Sequence, residues 1–130
     1  MYVNMYTGNP TADGTDGVLV SSAGALTSPI SAMAGAEEEV IVPCAVRCVV
    51  AGYTAYVCHI SVQTRSGSTY IAGSDWISLS LDGENWSTNI DVMNVGSTNK
   101  IFYVKISGGT VGGYDDTGAL LCNAEIEEDE

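Results

Sequence analysis

Apolar and polar residues alternate with a period of two in at least five segments of this chain, a spacing that puts every second side chain on the same face of a β-strand. The clearest case lies within residues 75–86, where Ile77, Leu79 and Leu81 alternate with Ser78 and Ser80 before Asp82-Gly83. Aspartate tolerates left-handed dihedrals and glycine is indifferent to them, so this pair predicts a tight reversal before Trp86. The stretch holds both tryptophans of the chain. Trp76 is the natural anchor between two packed sheets.

The same grammar predicts the remaining elements. Residues 2–6 alternate weakly and are cut by Gly8-Asn9-Pro10, giving a short first strand ended by a turn. Residues 11–17 are rich in turn formers, and Val18-Leu19-Val20 predicts a brief edge strand. Residues 21–36, small, polar and interrupted by Pro29, predict an extended loop with at most short pairing. From Glu39 onward, Val40, Val42, Cys44, Val46, Cys48 and Val50 share one face of a long strand. Pro43 lacks a ladder donor and marks a sheet edge or a bulge within it.

After the break at Ala51-Gly52, Tyr56, Cys58, Ile60 and Val62 form the next inward face, opposed by Val57, His59, Ser61 and Gln63. Short strands over 69–72 and 89–93 follow. Phe102, Val104 and Ile106 face inward in another strand, and Leu120, Cys122, Ala124 and Ile126 in the last. Glycine pairs at 108–109 and 112–113 bracket a flexible connection, and Glu127-Glu128-Asp129-Glu130 reads as a solvated acidic tail. About seven to nine antiparallel strands, frequent turn signals and no sustained 3.6-residue period predict an all-β sandwich. It forms a single domain over residues 1–126, loop-rich and weakly paired over 1–36, with the tail at 127–130.

At 130 residues the chain is long enough to bury one substantial core without staples. No apolar run approaches the roughly 20 residues of a membrane span, and the start lacks the basic character of a signal peptide, so a soluble protein made in the cytoplasm is expected. Sixteen acidic against four basic residues give a formal charge of −12, which repels phosphate backbones and argues against a nucleic-acid partner. Cys44, Cys48, Cys58 and Cys122 all fall within apolar alternation. In a strand Cys44 and Cys48 stand about 13 Å apart, beyond disulfide reach, and the spacing lacks the close pairs of a zinc site. Reduced core thiols are the better reading.

Candidate chemistry is sparse. His59 is the only histidine, and Ser61 points the same way two residues on, about 7 Å distant and too far for a direct nucleophile–base contact. Asp75, Asp82, Glu84, Asp115 and Asp116 are the carboxylates a glycosidase would draw on, but they fall in turns with nothing to raise a pKa. Asp13 with Asp16, Asp82 with Glu84 and Asn85, and Asp115 with Asp116 make oxygen-rich loops. None has the EF-hand spacing, and turn capping accounts for each. Asn85-Trp86-Ser87 matches the glycosylation pattern by chance in a chain without a secretion signal. No catalytic, cofactor-binding or metal residue is expected.

Three blocks carry a resemblance. Tyr6-Thr7-Gly8-Asn9-Pro10-Thr11-Ala12-Asp13-Gly14-Thr15-Asp16-Gly17 with Val20-Ser21-Ser22, Trp76-x-x-Leu79-Ser80-x-Asp82-Gly83-x-x-Trp86, and Asn99-x-x-Phe102-Tyr103-Val104-Lys105 are similar to motifs of small structural proteins from tailed phages and prophages of Gram-positive bacteria. The similarity spans roughly residues 6–106. It implies an immunoglobulin-like domain displayed on the virion, synthesised in the host cytoplasm, with no enzymatic activity. The implied role is capsid decoration or another head-associated position, with a tail component as the alternative. The implied partners are other phage structural proteins, including further copies of the chain, and neither nucleic acid nor membrane. A carbohydrate- or host-surface-binding module is the alternative from another class, and it requires exposed aromatics such as Tyr53, Tyr70 and Tyr114 to cluster.

Overall fold

The computed structural model describes residues 2–22, 30–34, 39–66, 69–72, 77–107 and 113–129. Trp76 and Asp75 lie outside the described residues, as do the side chains of Tyr70, Tyr114, Asp115 and Asp116. Ten strand segments are present: β1 (Val3–Thr7), β2 (Val18–Ser22), β3 (Ile30–Ala34), β4 (Glu39–Cys48), β5 (Tyr53–Ser66), β6 (Thr69–Ala72), β7 (Ile77–Ser80), β8 (Asn89–Val95), β9 (Lys100–Ser107) and β10 (Gly113–Glu128). Among the described residues there is no helix, and so none long and apolar enough to cross a membrane.

The strands form two antiparallel sheets. The first runs in the order β2-β1-β4-β9-β7. In the second, β3, β10, β5 and β6 are neighbours in turn, and β8 pairs with β5 beside β6. Their inner faces meet in one core, to which the first sheet contributes Val3, Met5, Val46, Leu79, Phe102 and Val104 and the second Cys58, Ile60, Val62, Val92, Val95 and Cys122. This is the two-layer sandwich that period-two patterning requires when one face of each sheet is apolar. Phe102 is the largest fully buried side chain among the described residues. Its burial is worth about 2–3 kcal/mol, and the expectation for Trp76 lies outside the described residues.

All four cysteines are buried with free thiols. Burial pushes the Cys44 thiol up to about 11. A hydrogen bond with Cys122, then burial, then the neighbouring Cys122 and Cys48 sulfurs raise Cys58. These are core residues behaving as small hydrophobes, with no thiolate available for nucleophilic work at neutral pH from Cys44 or Cys58.

Several local expectations are corrected. Tyr56 is exposed rather than inward, because β5 carries one extra residue there: Val57 opposes Glu125 while Ala55 opposes Ile126. Such a bulge reverses the facing of everything beyond it, so Ala55 is fully buried on the odd phase and Cys58 on the even one. The neighbouring strand follows. In β8 the buried positions shift from Ile90 and Val92 to Val95 across Asn94, whose φ of 55° is left-handed. Leu81 is exposed because β7 ends at Ser80. β10 continues through Glu127 and Glu128, which pair with Thr54 and Tyr53, so the strand overruns the expected boundary at Ile126 and half of the supposed tail is sheet. β3 is short pairing of the kind allowed for residues 21–36, made with the start of β10. Pro43 sits where β1 has stopped pairing with β4, opposite Tyr103 of β9, so its missing donor faces no ladder partner.

Candidate functional site

The outer face of the second sheet holds the histidine. His59 Nδ1 lies 2.6 Å from Asp91 Oδ1, with the two side chains 45% and 58% exposed. Cross-strand register makes this pair, since His59 stands opposite Asp91 in β8. Ser61 shares the face, but its hydroxyl accepts a hydrogen bond from Gln63 Nε2 at 3.1 Å. The structure therefore joins His59 to a carboxylate and Ser61 to an amide. A contact this open to water contributes about 0–1 kcal/mol. Sequence reasoning missed Asp91 because pairing register between β5 and β8 is invisible in either strand alone.

The oxygen-rich loops use their carboxylates internally. Asp16 accepts from the Thr11 amide and hydroxyl, both at 2.9 Å, and from Asn99 Nδ2 at 3.0 Å. The Thr11 donors, amide first, hold its carboxyl below the usual carboxylate range. Asp82 accepts from the Glu84 amide at 2.8 Å, the Asn85 amide at 2.9 Å, Ser80 Oγ at 2.8 Å and Asn85 Nδ2 at 2.7 Å. The Asn85 and Glu84 amides lead in holding this carboxyl far below its ordinary value. Among the described residues, no three or more His, Cys, Asp or Glu side chains converge as metal ligands would.

Asn99 ties the first loop to the sheet. It is buried, and its amide nitrogen donates to the Thr11 and Asp16 carbonyls, while its Oδ1 accepts from Arg47 Nη1 at 2.8 Å. Arg47 also donates to the Asp16 carbonyl and lies 3.7 Å over the Tyr6 ring, a cation–π contact. On the same sheet the 80–87 reversal lies against β9: a Cβ at Gly83 would stand 3.9 Å from the Tyr103 ring, and Lys105 Nζ is 4.6 Å from the Trp86 ring centroid. Of the aromatics proposed for ligand binding, Tyr53 packs on Tyr2 at a centroid distance of 4.9 Å.

The acidic end of β10 is the remaining feature with shape and charge together. Thr54, Tyr56, Glu127, Glu128 and Asp129 line a shallow cleft of about 340 Å³. Thr54 Oγ1 donates to Asp129 Oδ1 at 2.6 Å, and the Asp129 amide donates to the Gly52 carbonyl at 2.7 Å. Tyr56 hydrogen-bonds Glu127, which together with that carboxylate's charge raises the phenol's pKa. The bulge at Tyr56 is what aims this ring outward toward Glu127. No cation among the described residues pairs with Glu125, Glu127, Glu128 or Asp129. Comparison of the chain with protein-family models, with curated proteins and with solved structures finds no match.

Proposed function

We propose that this chain is a non-enzymatic virion structural protein of a tailed phage or prophage, acting as a head-associated decoration module, with a place in the tail as the second position within the same setting. One observation carries the reading most directly. The three sequence blocks that resemble phage structural proteins are far apart in the chain, yet they meet on the outer side of the first sheet. Thr11 and Asp16 of the first block bond to Asn99 of the third, and Gly83 and Trp86 of the second lie against Tyr103 and Lys105 of the third. Residues that hold one another in place in this way form a coherent structural signature rather than three coincidences. The exposed His59–Asp91 pair and the internally satisfied Asp16 and Asp82 carboxylates supply surface and turn chemistry. The sandwich also presents strand edges suited to pairing with neighbouring subunits.

Mass spectrometry of purified virions from a host carrying the gene is the direct test. The protein is expected in the particles in stoichiometric amount, retained in emptied heads. Its presence only in isolated tails reassigns it to the tail, and its absence from particles overturns the virion reading.

A further inference from the structure

Three aspartates of this chain are followed directly by glycine, in Asp13-Gly14, Asp16-Gly17 and Asp82-Gly83. Such a pair can react with itself. The glycine amide nitrogen, on a residue with no Cβ to crowd the approach, attacks the aspartate Cγ. An N–Cγ bond forms, a carboxyl oxygen leaves as water, and the product is a cyclic imide. Water then opens either carbonyl of the ring. One opening restores aspartate, and the other gives isoaspartate, in which the main chain runs through Cβ and Cγ. The water lost in the first step is regained in the second, so the change needs no oxidant, cofactor or enzyme.

The reaction requires a carboxyl group free to turn onto the next nitrogen, and two of the three are tied down. Asp82 accepts from the Glu84 and Asn85 amides, Ser80 Oγ and Asn85 Nδ2, and the Gly83 amide is itself given to Ser80 Oγ at 2.9 Å. Asp16 accepts from the Thr11 amide and hydroxyl and from Asn99 Nδ2, and Gly17 is packed so closely that a Cβ would stand 2.9 Å from Tyr6 Cβ. Asp13 differs. It is exposed, and its carboxylate accepts no hydrogen bond among the described residues. Its φ of 62° lies in the left-handed region that favours glycine, so the backbone does not resist leaving that conformation. The local bond to be opened is the one from the Gly14 amide to the Thr11 carbonyl at 3.0 Å. We propose that Asp13-Gly14 is a site of spontaneous isoaspartate formation, and that the modification unfastens the Thr11–Gly17 loop from Asn99. The Asp13 amide donates to the Asn99 carbonyl at 3.1 Å, and the Gly14 carbonyl accepts from the Asn99 amide at 2.8 Å. The main chain between those two groups is the part that isoaspartate lengthens by one methylene, so the paired bonds lose their common spacing. The modification does not depend on a virion role.

The test incubates the full-length protein for several weeks at mildly acidic pH, in buffer and in denaturant. Isoaspartate is located by peptide mapping with electron-transfer fragmentation and counted with a protein isoaspartyl methyltransferase and labelled S-adenosylmethionine. In buffer, isoaspartate at position 13 is expected to exceed that at 16 and at 82 by about tenfold or more, because bonds to a charged carboxylate must break first at the other two. In denaturant the three sites should react alike. Asp13→Glu, whose longer side chain closes the ring reluctantly, is expected to abolish the signal at 13, and Asp13→Asn, which releases ammonia in place of water, to convert faster. In the modified fraction, hydrogen exchange of the Asp13 and Asn99 amides should rise while that of the Glu84 and Asn85 amides stays unchanged. No isoaspartate at 13, as much at 16 or 82, or the same preference in denaturant overturns the proposed site. Unchanged exchange at Asn99 in the modified fraction overturns the unfastening.

Discussion

Two reversals in this protein share one vocabulary, an aspartate with glycine near it, and are stabilised in opposite ways. In the Ser80–Trp86 reversal every bond to the Asp82 carboxylate comes from within three residues, and Ser80 Oγ accepts the Asp82 and Gly83 amides. In the Thr11–Gly17 reversal the closing group is Asn99, more than 80 residues away. Its main chain also exchanges bonds with Asp13 and Gly14. Ser80 and Asn99 are the two buried polar side chains among the described residues, one at each reversal. The first turn carries its own instructions. The second adds to its local Thr11–Asp16 and Thr11–Gly14 bonds a tie that only β9 supplies.

Of the substitutions that probe this difference, Asn99→Ala has the largest effect. It removes the amide that donates to the Thr11 carbonyl and to Asp16, and one of the two acceptors of Arg47, at a buried site, costing about 2–4 kcal/mol in chemical denaturation. A loss under about 1 kcal/mol would erase the distinction between the two loops. Gly17→Ala is next. The residue has φ 121°, and an added Cβ would stand 2.9 Å from Tyr6 Cβ and 3.2 Å from the Thr7 carbonyl, so strain and overlap together cost about 2–3 kcal/mol. Gly83→Ala, at φ 80° with its nearest neighbour at 3.9 Å, meets only the backbone penalty of about 1 kcal/mol. Equal losses at the two glycines would show that crowding against β1 does not matter.

Ser80→Ala sharpens the local side of the contrast. It removes one acceptor of two amides and one donor to Asp82, for about 1–2 kcal/mol. Amide exchange in the Thr11–Gly17 loop should be unaffected. The smallest effect is acid titration. Both Asp16 and Asp82 are held below their ordinary values in the folded protein. A depressed folded pKa contributes stability that is present above the unfolded value, about 3.9, and is lost as pH falls through the folded one. The Glu84 and Asn85 amide resonances should therefore stay unchanged through pH 4 and shift only well below it. A midpoint near the ordinary aspartate value would contradict the bonding at Asp82.

The same local-versus-distant division decides how much of the molecule is legible in the sequence. Alternation alone identifies the inner faces of β9 and of most of β5, and Asp82-Gly83 announces its reversal, because those signals sit within a few residues. The facing of Tyr56 is lost to a bulge that only the register against β10 reveals. Ser80 rather than Leu81 is buried because the chain reverses directly after Ser80, whose Oγ accepts the Asp82 and Gly83 amides. Glu127 and Glu128 read as a tail by charge, yet their backbones are paired with Tyr53 and Thr54. The candidate surface shows the same limit. Its carboxylates are plain in the sequence, but the cleft and the outward Tyr56 depend on which strands are neighbours.

The position of β10 bears on how the protein comes into being. The last strand in sequence lies inside its sheet, between β3 and β5. While a ribosome delivers the chain from its N-terminus, β5 waits with its longest edge uncovered, and β3 waits for the partner to which it is paired. Neither can close until residues 113–128 emerge. The sandwich therefore assembles late, by joining segments distant in sequence, a topology that folds slowly. During that interval its safeguard against pairing with neighbouring nascent chains is the electrostatic repulsion of a strongly acidic polypeptide.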